Sequence, residues 1–166
     1  MGMATKLAEY LRAHPVPYDL LTHAHTGSSL QSAEATHVPP GRLAKAVVLE
    51  DEDARMVMAV LPASRKLRLD ELRSYTGRML HLATEPELRR RFDDCEPGAV
   101  PPIGSAYGME TIVDESLMAQ PELYFEGGDH ETLVRMRTSD FIGLLQGAPR
   151  TAFSAPLQED GARPLF

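Results

Sequence analysis

Two continuous apolar segments joined by a short acidic turn constrain the fold more than any other feature of the sequence. They occupy residues 46–49 and 56–61, and the turn between them runs from Glu50 to Arg55. A strand that is apolar at every position must be covered on both of its faces. The short polar connection predicts that the two segments pair as an antiparallel hairpin. We therefore expect a central hairpin enclosed by helices or by a second sheet.

Helices and further strands alternate irregularly around this hairpin. The patterns predict helices over residues 4–12, 28–36, 70–75, 84–92 and 139–145. Ser28 or Ser29 would cap the second helix, Thr84 with Glu87 forms a capping box for the fourth, and Ser139 or Thr138 would cap the last. Strands are predicted at residues 18–21, 79–82, 111–113, 122–125 and 132–136. This order predicts an α+β fold with a mixed sheet rather than a regular parallel one.

Length and composition indicate a single folded domain. The chain has 166 residues, of which 43% are hydrophobic, enough to build one core. We predict that this domain spans residues 1–146. Residues 147–166 are rich in Ala, Pro and Gly and are predicted to form a loosely ordered tail.

The charge balance argues against some classes of partner. Seventeen Lys and Arg residues against 24 Asp and Glu residues give a formal net charge of −7, unlike a sequence-independent DNA-binding protein, which needs a basic face. Apolar runs are too short to cross a bilayer, and the N-terminal residues have no apolar signal core. These features predict a cytoplasmic protein with neither a membrane nor DNA as its partner.

The single cysteine, Cys95, excludes an internal disulfide and a zinc site built from cysteines. Its neighbours Asp93, Asp94 and Glu96 disfavour a thiolate, so we do not interpret Cys95 as a nucleophile. The sequence also lacks the glycine-rich nucleotide-binding motifs and the Gly-x-Ser-x-Gly motif of serine hydrolases. Common nucleotide-binding and hydrolase classes therefore lose support.

Lys45 stands directly before the first apolar segment and has two interpretations. It is either a lysine at the end of a strand that reaches out to solvent, or a fixed cation for a phosphate or a carbonyl oxygen.

A loop that contains two prolines and two glycines follows the fourth predicted helix. Its sequence is Gly98-Ala99-Val100-Pro101-Pro102-Ile103-Gly104. Prolines stiffen it, and glycines allow positive φ or close approach. Such a loop can direct the backbone N–H groups of Ala99, Val100, Ile103 and Gly104 at a carbonyl oxygen or an oxyanion. An ordinary rigid connection is the alternative interpretation.

The segment Gly127-Gly128-Asp129-His130 lies between two predicted strands. A hairpin turn explains the glycines. It does not explain His130, which we expect at the start of the following strand, where it can donate or accept a hydrogen bond.

Two further groups of polar residues have both structural and functional interpretations. His23 and His25 share a face if their segment is extended, which suits two metal ligands or a chance pair near a loop. Arg89-Arg90-Arg91 and Arg65-Lys66-Leu67-Arg68 are basic clusters. They are either solvated surfaces or docking points for a nucleic-acid backbone.

Three segments in this order resemble the YbaK family, which includes the editing domains associated with prolyl-tRNA synthetase. They are Ala44-Lys45-Ala46-Val47-Val48-Leu49, the loop from Pro97 to Gly104, and Phe125-Glu126-Gly127-Gly128-Asp129-His130. The resemblance extends from Tyr18 to Leu145. It implies a mixed, partly barrel-like sheet flanked by helices, and free-standing members of the family are aminoacyl-tRNA deacylases.

The resemblance also implies site residues. The positions that match the family's motifs are Lys45, Gly98, Pro102, Gly127, Gly128 and His130. We expect Lys45 to fix the terminal phosphate or other polar groups of the substrate, the loop amides to polarise the ester carbonyl, and His130 to orient the substrate or a water molecule. Lys45 and the loop amides should then face one cavity.

The implied function is trans-editing, without a cofactor. The substrate would be a tRNA, for example a proline tRNA, that wrongly carries Ala, Ser, Thr or Cys, and the partners would be its aminoacylated acceptor end and a synthetase. Editing is needed because one methylene group changes binding by only about 1–3 kcal/mol. Two alternatives remain at this stage: a non-catalytic module that binds tRNA or an aminoacyl nucleotide, and a metal-dependent hydrolase that uses His23, His25 and a carboxylate.

Overall fold

The computed structural model describes residues 2–157, and within this range the chain forms five α-helices and ten β-strands. The helices are α1 (Thr5–Ala13), α2 (Ser29–Thr36), α3 (Leu69–Thr76), α4 (Glu85–Arg91) and α5 (Thr138–Leu144). The strands are β1 (Asp19–Thr22), β2 (Leu43–Glu50), β3 (Met56–Pro62), β4 (Arg65–Leu67), β5 (His81–Leu82), β6 (Glu110–Asp114), β7 (Glu122–Glu126), β8 (Thr132–Arg137), β9 (Arg150–Thr151) and β10 (Ser154–Pro156). Turns of 3-10 helix lie at Pro40–Arg42, Gly104–Tyr107 and Glu115–Ala119. None of the helices in the described region could span a bilayer.

One mixed sheet organises the fold. Its strand order is β1-β8-β7-β2-β3-β6-β9, and β5 pairs with the end of β2. β2 and β3 form the predicted antiparallel hairpin at its centre, whereas β2 pairs with β7 and β3 with β6 in parallel. β4 and β10 form a separate two-stranded sheet. Among the described residues, β1 and β9 end the strand order, so strand pairing does not close a complete barrel. The α+β class with a mixed sheet is confirmed.

The side chains of β3 show why its sequence is apolar at every position. Met58 and Val60 point into a core that α1 and α5 cover, whereas Val57, Ala59 and Leu61 point into a second core that α3 covers. All five are fully buried. Burial of a side chain of this kind contributes roughly 1.5–3 kcal/mol, which makes the hairpin the main apolar element of the fold.

Two predicted helix starts are confirmed by their caps. The Ser28 side chain accepts a hydrogen bond from the Gln31 backbone N–H at the start of α2. Thr84 and Glu87 form the complete capping box at the start of α4. Each cap satisfies N–H groups that the first helical turn leaves without partners.

The start of α5 was predicted wrongly. The helix begins at Thr138 after Arg137, and no side chain caps it. The Thr138 hydroxyl instead donates to the Gln120 carbonyl at 2.5 Å. The strand predicted at 79–82 is also shorter than expected, because only His81 and Leu82 pair with β2.

The C-terminal region is more ordered than its composition predicts. β9 pairs with β6, β10 pairs with β4, and Phe153 between them is fully buried. The Phe153 backbone N–H also donates to Asp114 Oδ1 at 2.9 Å. The prediction of a loosely ordered tail is therefore wrong for this segment, because one buried aromatic side chain attaches it to the core. The rest of the predicted tail, residues 158–166, lies outside the described residues.

Candidate active site

Lys45 lies inside β2, opposite Leu61 of β3, rather than before the strand as predicted. It follows Leu43 and Ala44, which the apolar pattern alone did not assign to the strand. Its side chain is partly buried, and this burial lowers the pKa of Lys45 to about 8. A lysine inside a sheet is costly to bury in its charged form.

Glu126 is the neighbour of Lys45 on the adjacent strand, and sequence reasoning missed it. β2 and β7 run parallel with Leu43 opposite Tyr124 and Ala44 opposite Phe125. Lys45 and Glu126 follow these pairs, and because side chains alternate along both strands, they are placed on the same face of the sheet. Glu126 is only 2% exposed, and this burial raises the pKa of its carboxyl group.

His130 connects Glu126 to the proline-containing loop. Its Nε2 donates to the Pro97 carbonyl at 2.6 Å, and its Nδ1 lies 3.8 Å from Glu126 Oε1. The residue is 2% exposed and has a left-handed backbone with φ of 57°. It therefore occupies the turn before β8 rather than the start of that strand. Since Nε2 is bonded to Pro97, His130 supports the loop, and Nδ1 is the ring nitrogen left to contact a substrate or a water molecule.

Gly98, which follows Pro97, is an exposed residue of the loop that also lies close to His130. Its φ is +81°, and a Cβ atom there would lie 3.4 Å from His130 Nε2 and 3.7 Å from the Gly27 carbonyl oxygen. Both the backbone conformation and the close approach favour glycine. Gly98 and Glu126 both approach His130, and together with Lys45, which is placed on the same face of the sheet as Glu126, they form what we call the Lys45–Gly98 cluster.

Most side chains in the remainder of the loop face the protein interior. Ala99 and Ile103 are fully buried, and the Ala99 amide donates to the Glu96 carbonyl at 3.0 Å. A Cβ atom on Gly104 would lie 2.0 Å from Thr111 Oγ1, so this glycine is required for packing. Val100 is partly exposed, whereas Pro101 and Pro102 are buried. Of the four amides predicted as donors to a substrate, the structure assigns that of Ala99 to the protein itself.

Gly127 and Gly128 hold neighbouring segments together. The Gly127 carbonyl accepts from the Ala4 N–H at 2.7 Å, and the Gly128 carbonyl accepts from the Glu96 N–H at 2.8 Å. A Cβ atom on Gly128 would lie 2.9 Å from that of Ala4. These contacts attach the start of α1 and the loop before Pro97 to the β7–β8 hairpin. Substrate binding by the two glycines stays a prediction.

His23 and His25 follow β1 and border the Lys45–Gly98 cluster. The His25 ring packs edge-on against His130 with centroids 5.8 Å apart, and its Nε2 contacts Glu96 Oε2 at 2.7 Å. That contact raises the pKa of His25. Within residues 2–157, the three-residue group with metal-ligand spacing is Asp51-Glu52-Asp53, so His23 and His25 do not meet the requirement of a metal-dependent hydrolase.

Cys95 behaves as predicted from its acidic neighbours. Its sulfur lies 3.3 Å from Asp94 Oδ1 and 3.2 Å from the Tyr107 hydroxyl. Burial, together with the nearby carboxylates, raises the pKa of the thiol to about 12. A thiol in this environment is a poor nucleophile.

A small cavity of about 160 Å³ adjoins the loop between α4 and Gly98. Leu88, Phe92, Cys95 and Val100 give it a mainly apolar wall. Lys45 does not line this cavity. This cavity is therefore not the one that Lys45 and the loop amides were predicted to share, and their convergence on one cavity stays a prediction.

The two basic clusters differ in their surroundings. Arg65 of the second cluster donates to the Ser154 hydroxyl and carbonyl, and Arg68 pairs with Asp70. Arg90 and Arg91 of α4 instead line an open cleft of about 490 Å³.

The fold and these contacts define an α+β domain whose polar cluster joins a strand lysine to a proline-stiffened loop. A sequence profile described as the aminoacyl-tRNA editing domain matches residues 23–144. The chain therefore belongs to the aminoacyl-tRNA editing domain family. No curated protein matches the sequence significantly.

Solved structures agree with this fold. A protein described as a proposed trans-editing enzyme for prolyl tRNA synthetase aligns with a TM-score of 0.80 and 22% identity, over 92% of this chain and 96% of that one. The hypothetical protein APE2540 aligns with a TM-score of 0.80 and 21% identity, over 90% and 99%. A protein from Marinobacter aquaeolei assigned to signal transduction aligns with a TM-score of 0.74 and 21% identity, but the match covers only 30% of its length. At these identities the likeness establishes the fold alone.

Proposed function

We propose that this protein is a trans-editing aminoacyl-tRNA deacylase that removes a small amino acid, Ala, Ser, Thr or Cys, from a wrongly charged tRNA such as a proline tRNA. The observation that carries the proposal is the Lys45–Gly98 cluster, in which His130 bonds to the loop at Pro97 and lies 3.8 Å from Glu126, a residue placed on the same face of the sheet as Lys45. Membership of the editing family supports the same reaction class.

The reaction does not require a nucleophilic residue of the protein. The oxygen of a water molecule bonds to the ester carbonyl carbon, the bond from that carbon to the ribose oxygen breaks, and the ribose oxygen takes up a proton. An aminoacyl ester is already reactive, so positioning and charge stabilisation suffice. The vicinal ribose hydroxyl can position the water.

We assign the roles as follows. The Lys45 ammonium binds the terminal phosphate or the substrate's polar groups, and the exposed segment at Gly98 approaches the ester carbonyl. His130 and Pro97 fix that segment through their 2.6 Å hydrogen bond. We place the side chain of the amino acid in the mainly apolar cavity of about 160 Å³ beside Gly98.

A panel of misacylated tRNAs tests the proposal. We expect the wild-type protein to accelerate hydrolysis of at least one tRNA ester of a small amino acid. Lys45→Ala should lower that rate by about 10²- to 10³-fold. Lys66→Ala, at the surface strand β4, is the matched control and should keep full activity. Absence of hydrolysis across the panel would favour the non-catalytic binding module, and equal rates for wild type and Lys45→Ala would contradict the assigned site.

A further inference from the structure

The Lys45–Gly98 cluster and the adjoining His23 contain buried polar atoms that have no hydrogen-bond partner among the described residues. Within residues 2–157, five buried side-chain atoms have no hydrogen-bond partner, and four of them are His23 Nε2, Glu126 Oε1 and Oε2, and His130 Nδ1. The fifth is Glu50 Oε2, at the far end of β2. Buried polar atoms are nearly always bonded in native proteins, so a group of four points to a missing partner.

All four atoms are hydrogen-bond acceptors. His130 Nε2 and His23 Nδ1 each contact a backbone carbonyl, at 2.6 and 2.7 Å, so these nitrogens carry the ring protons. In a neutral imidazole the other nitrogen is then an acceptor. The two oxygens of an ionised Glu126 are acceptors as well. A carbonyl or phosphate oxygen cannot satisfy such a group, whereas a donor can.

The charge of the group favours a cationic donor. An ammonium carries three N–H donors and a positive charge, which would offset the cost of burying the Glu126 carboxylate. The hydroxyl of Ser32 shares a 2.6 Å hydrogen bond with Thr26, and as a neighbour of Glu126 it acts to lower the pKa of that carboxyl group. It offers one donor and no charge.

The acceptor group reaches the surface at His23 and His25. His23 is partly buried, and the His25 side chain is 55% exposed while it packs against His130. The segment between β1 and α2 covers the group and is held by the Thr26 N–H, which donates to the His130 carbonyl at 3.2 Å. A ligand would therefore enter at this edge, with a shift of the covering segment.

We propose that His23, Glu126 and His130 form a subsite for the α-ammonium group of the aminoacyl ester. The inference rests on the proposed function, and it names the part of the substrate that this face of the site recognises. Lys45 would then bind oxygen atoms of the ester or phosphate, while Glu126 beside it neutralises the charge of the amino group.

Binding of two stable analogues tests the subsite. One is adenosine that carries an alanyl group through a 3′-amide, and the other carries a propionyl group, which has the same shape without the ammonium. We expect the wild-type protein to bind the alanyl analogue at least about tenfold more tightly in calorimetry, which corresponds to about 1.4 kcal/mol. Glu126→Gln should abolish this preference and leave the affinity for the propionyl analogue unchanged.

Glu50→Gln is the matched control, because Glu50 is also a carboxylate with a buried unbonded oxygen, but at the other end of β2. It should keep the preference, and thermal melting verifies that both variants fold. Equal affinity of wild type for the two analogues, no binding of the alanyl analogue at millimolar concentration, or an unchanged preference in Glu126→Gln would each overturn the subsite. Deacylation by wild type alongside any of these results would leave the proposed function standing, whereas inactivity on the tRNA panel would remove it.

Discussion

The environment of Lys45 destabilises the charged form of its side chain. Burial lowers its pKa to about 8 from an ordinary value of 10.5, so the ammonium is lost within an accessible pH range. If the charged form binds the substrate, the enzymatic rate should fall about tenfold for each pH unit above 8. Single-turnover deacylation from neutral pH to about pH 10 measures this, after subtraction of the uncatalysed hydrolysis.

Lys45→Arg provides the control for that profile. Arginine stays protonated throughout this range, so the variant should lose the fall that Lys45 causes and keep only the fall that deprotonation of the substrate's α-ammonium group produces in both proteins. A wild-type profile that stays level to about pH 10 would contradict the requirement for a charged Lys45.

Substitutions at Gly98 and Gly108 distinguish the effect of backbone strain from the effect of contact with the site. Both have positive φ, +81° and +63°, but only a Cβ on Gly98 would meet His130, whereas one on Gly108 would meet nothing within 4 Å. Each change to Ala should cost about 1–2 kcal/mol of stability. Only Gly98→Ala should also lower kcat, by about 10- to 100-fold, because the loop moves relative to the substrate. Melting curves and kcat measure the two effects, and similar activity losses in both variants would contradict a role for the close contact.

The candidate site was only partly predictable from the sequence. The sequence allowed three residues to be singled out, because each differs in chemical type from the segment around it: Lys45, Gly98 and His130. Glu126 could not, since its position beside Lys45 depends on the parallel pairing of β2 with β7, which no local pattern encodes. The inward orientation of Ile103 likewise follows from packing against distant residues.

At the level of secondary-structure elements, local signals predicted those elements whose stabilising contacts are also local. The capping serine of α2 and the capping box of α4 act within one helical turn. The uncapped start of α5 was missed because Thr138 bonds to Gln120, which is distant in sequence.

The short strands β9 and β10 depend on one buried side chain. Phe153 lies between them, is fully buried, and packs in the core under α3 with Leu67 and Leu72. Phe153→Ala should destabilise the protein by about 3–5 kcal/mol. Chemical denaturation measures this, with Tyr75→Ala as the control because Tyr75 is 50% exposed. A loss below about 1 kcal/mol in Phe153→Ala would show that the segment is attached only loosely.

For the molecule as a whole, the net charge is negative, but some positive charges are concentrated locally. The formal net charge is −7, which opposes a polyanion at long range. Arg55, Arg90 and Arg91 nevertheless line one open cleft of about 490 Å³, with Glu87 at its edge. A tRNA backbone bound there would be held by a few local contacts, with modest affinity.

The salt dependence of tRNA binding tests this arrangement. Each phosphate contact that is lost should reduce the slope of log K against log salt concentration by roughly 0.7–0.9. Arg90→Gln should therefore bind tRNA more weakly and with a shallower slope than wild type. Arg12→Gln, on α1, removes the same charge from another exposed helix position and should leave the slope unchanged. Equal slopes for Arg90→Gln and wild type would place the nucleic acid elsewhere, whereas equal reductions in both variants would indicate that only net charge matters.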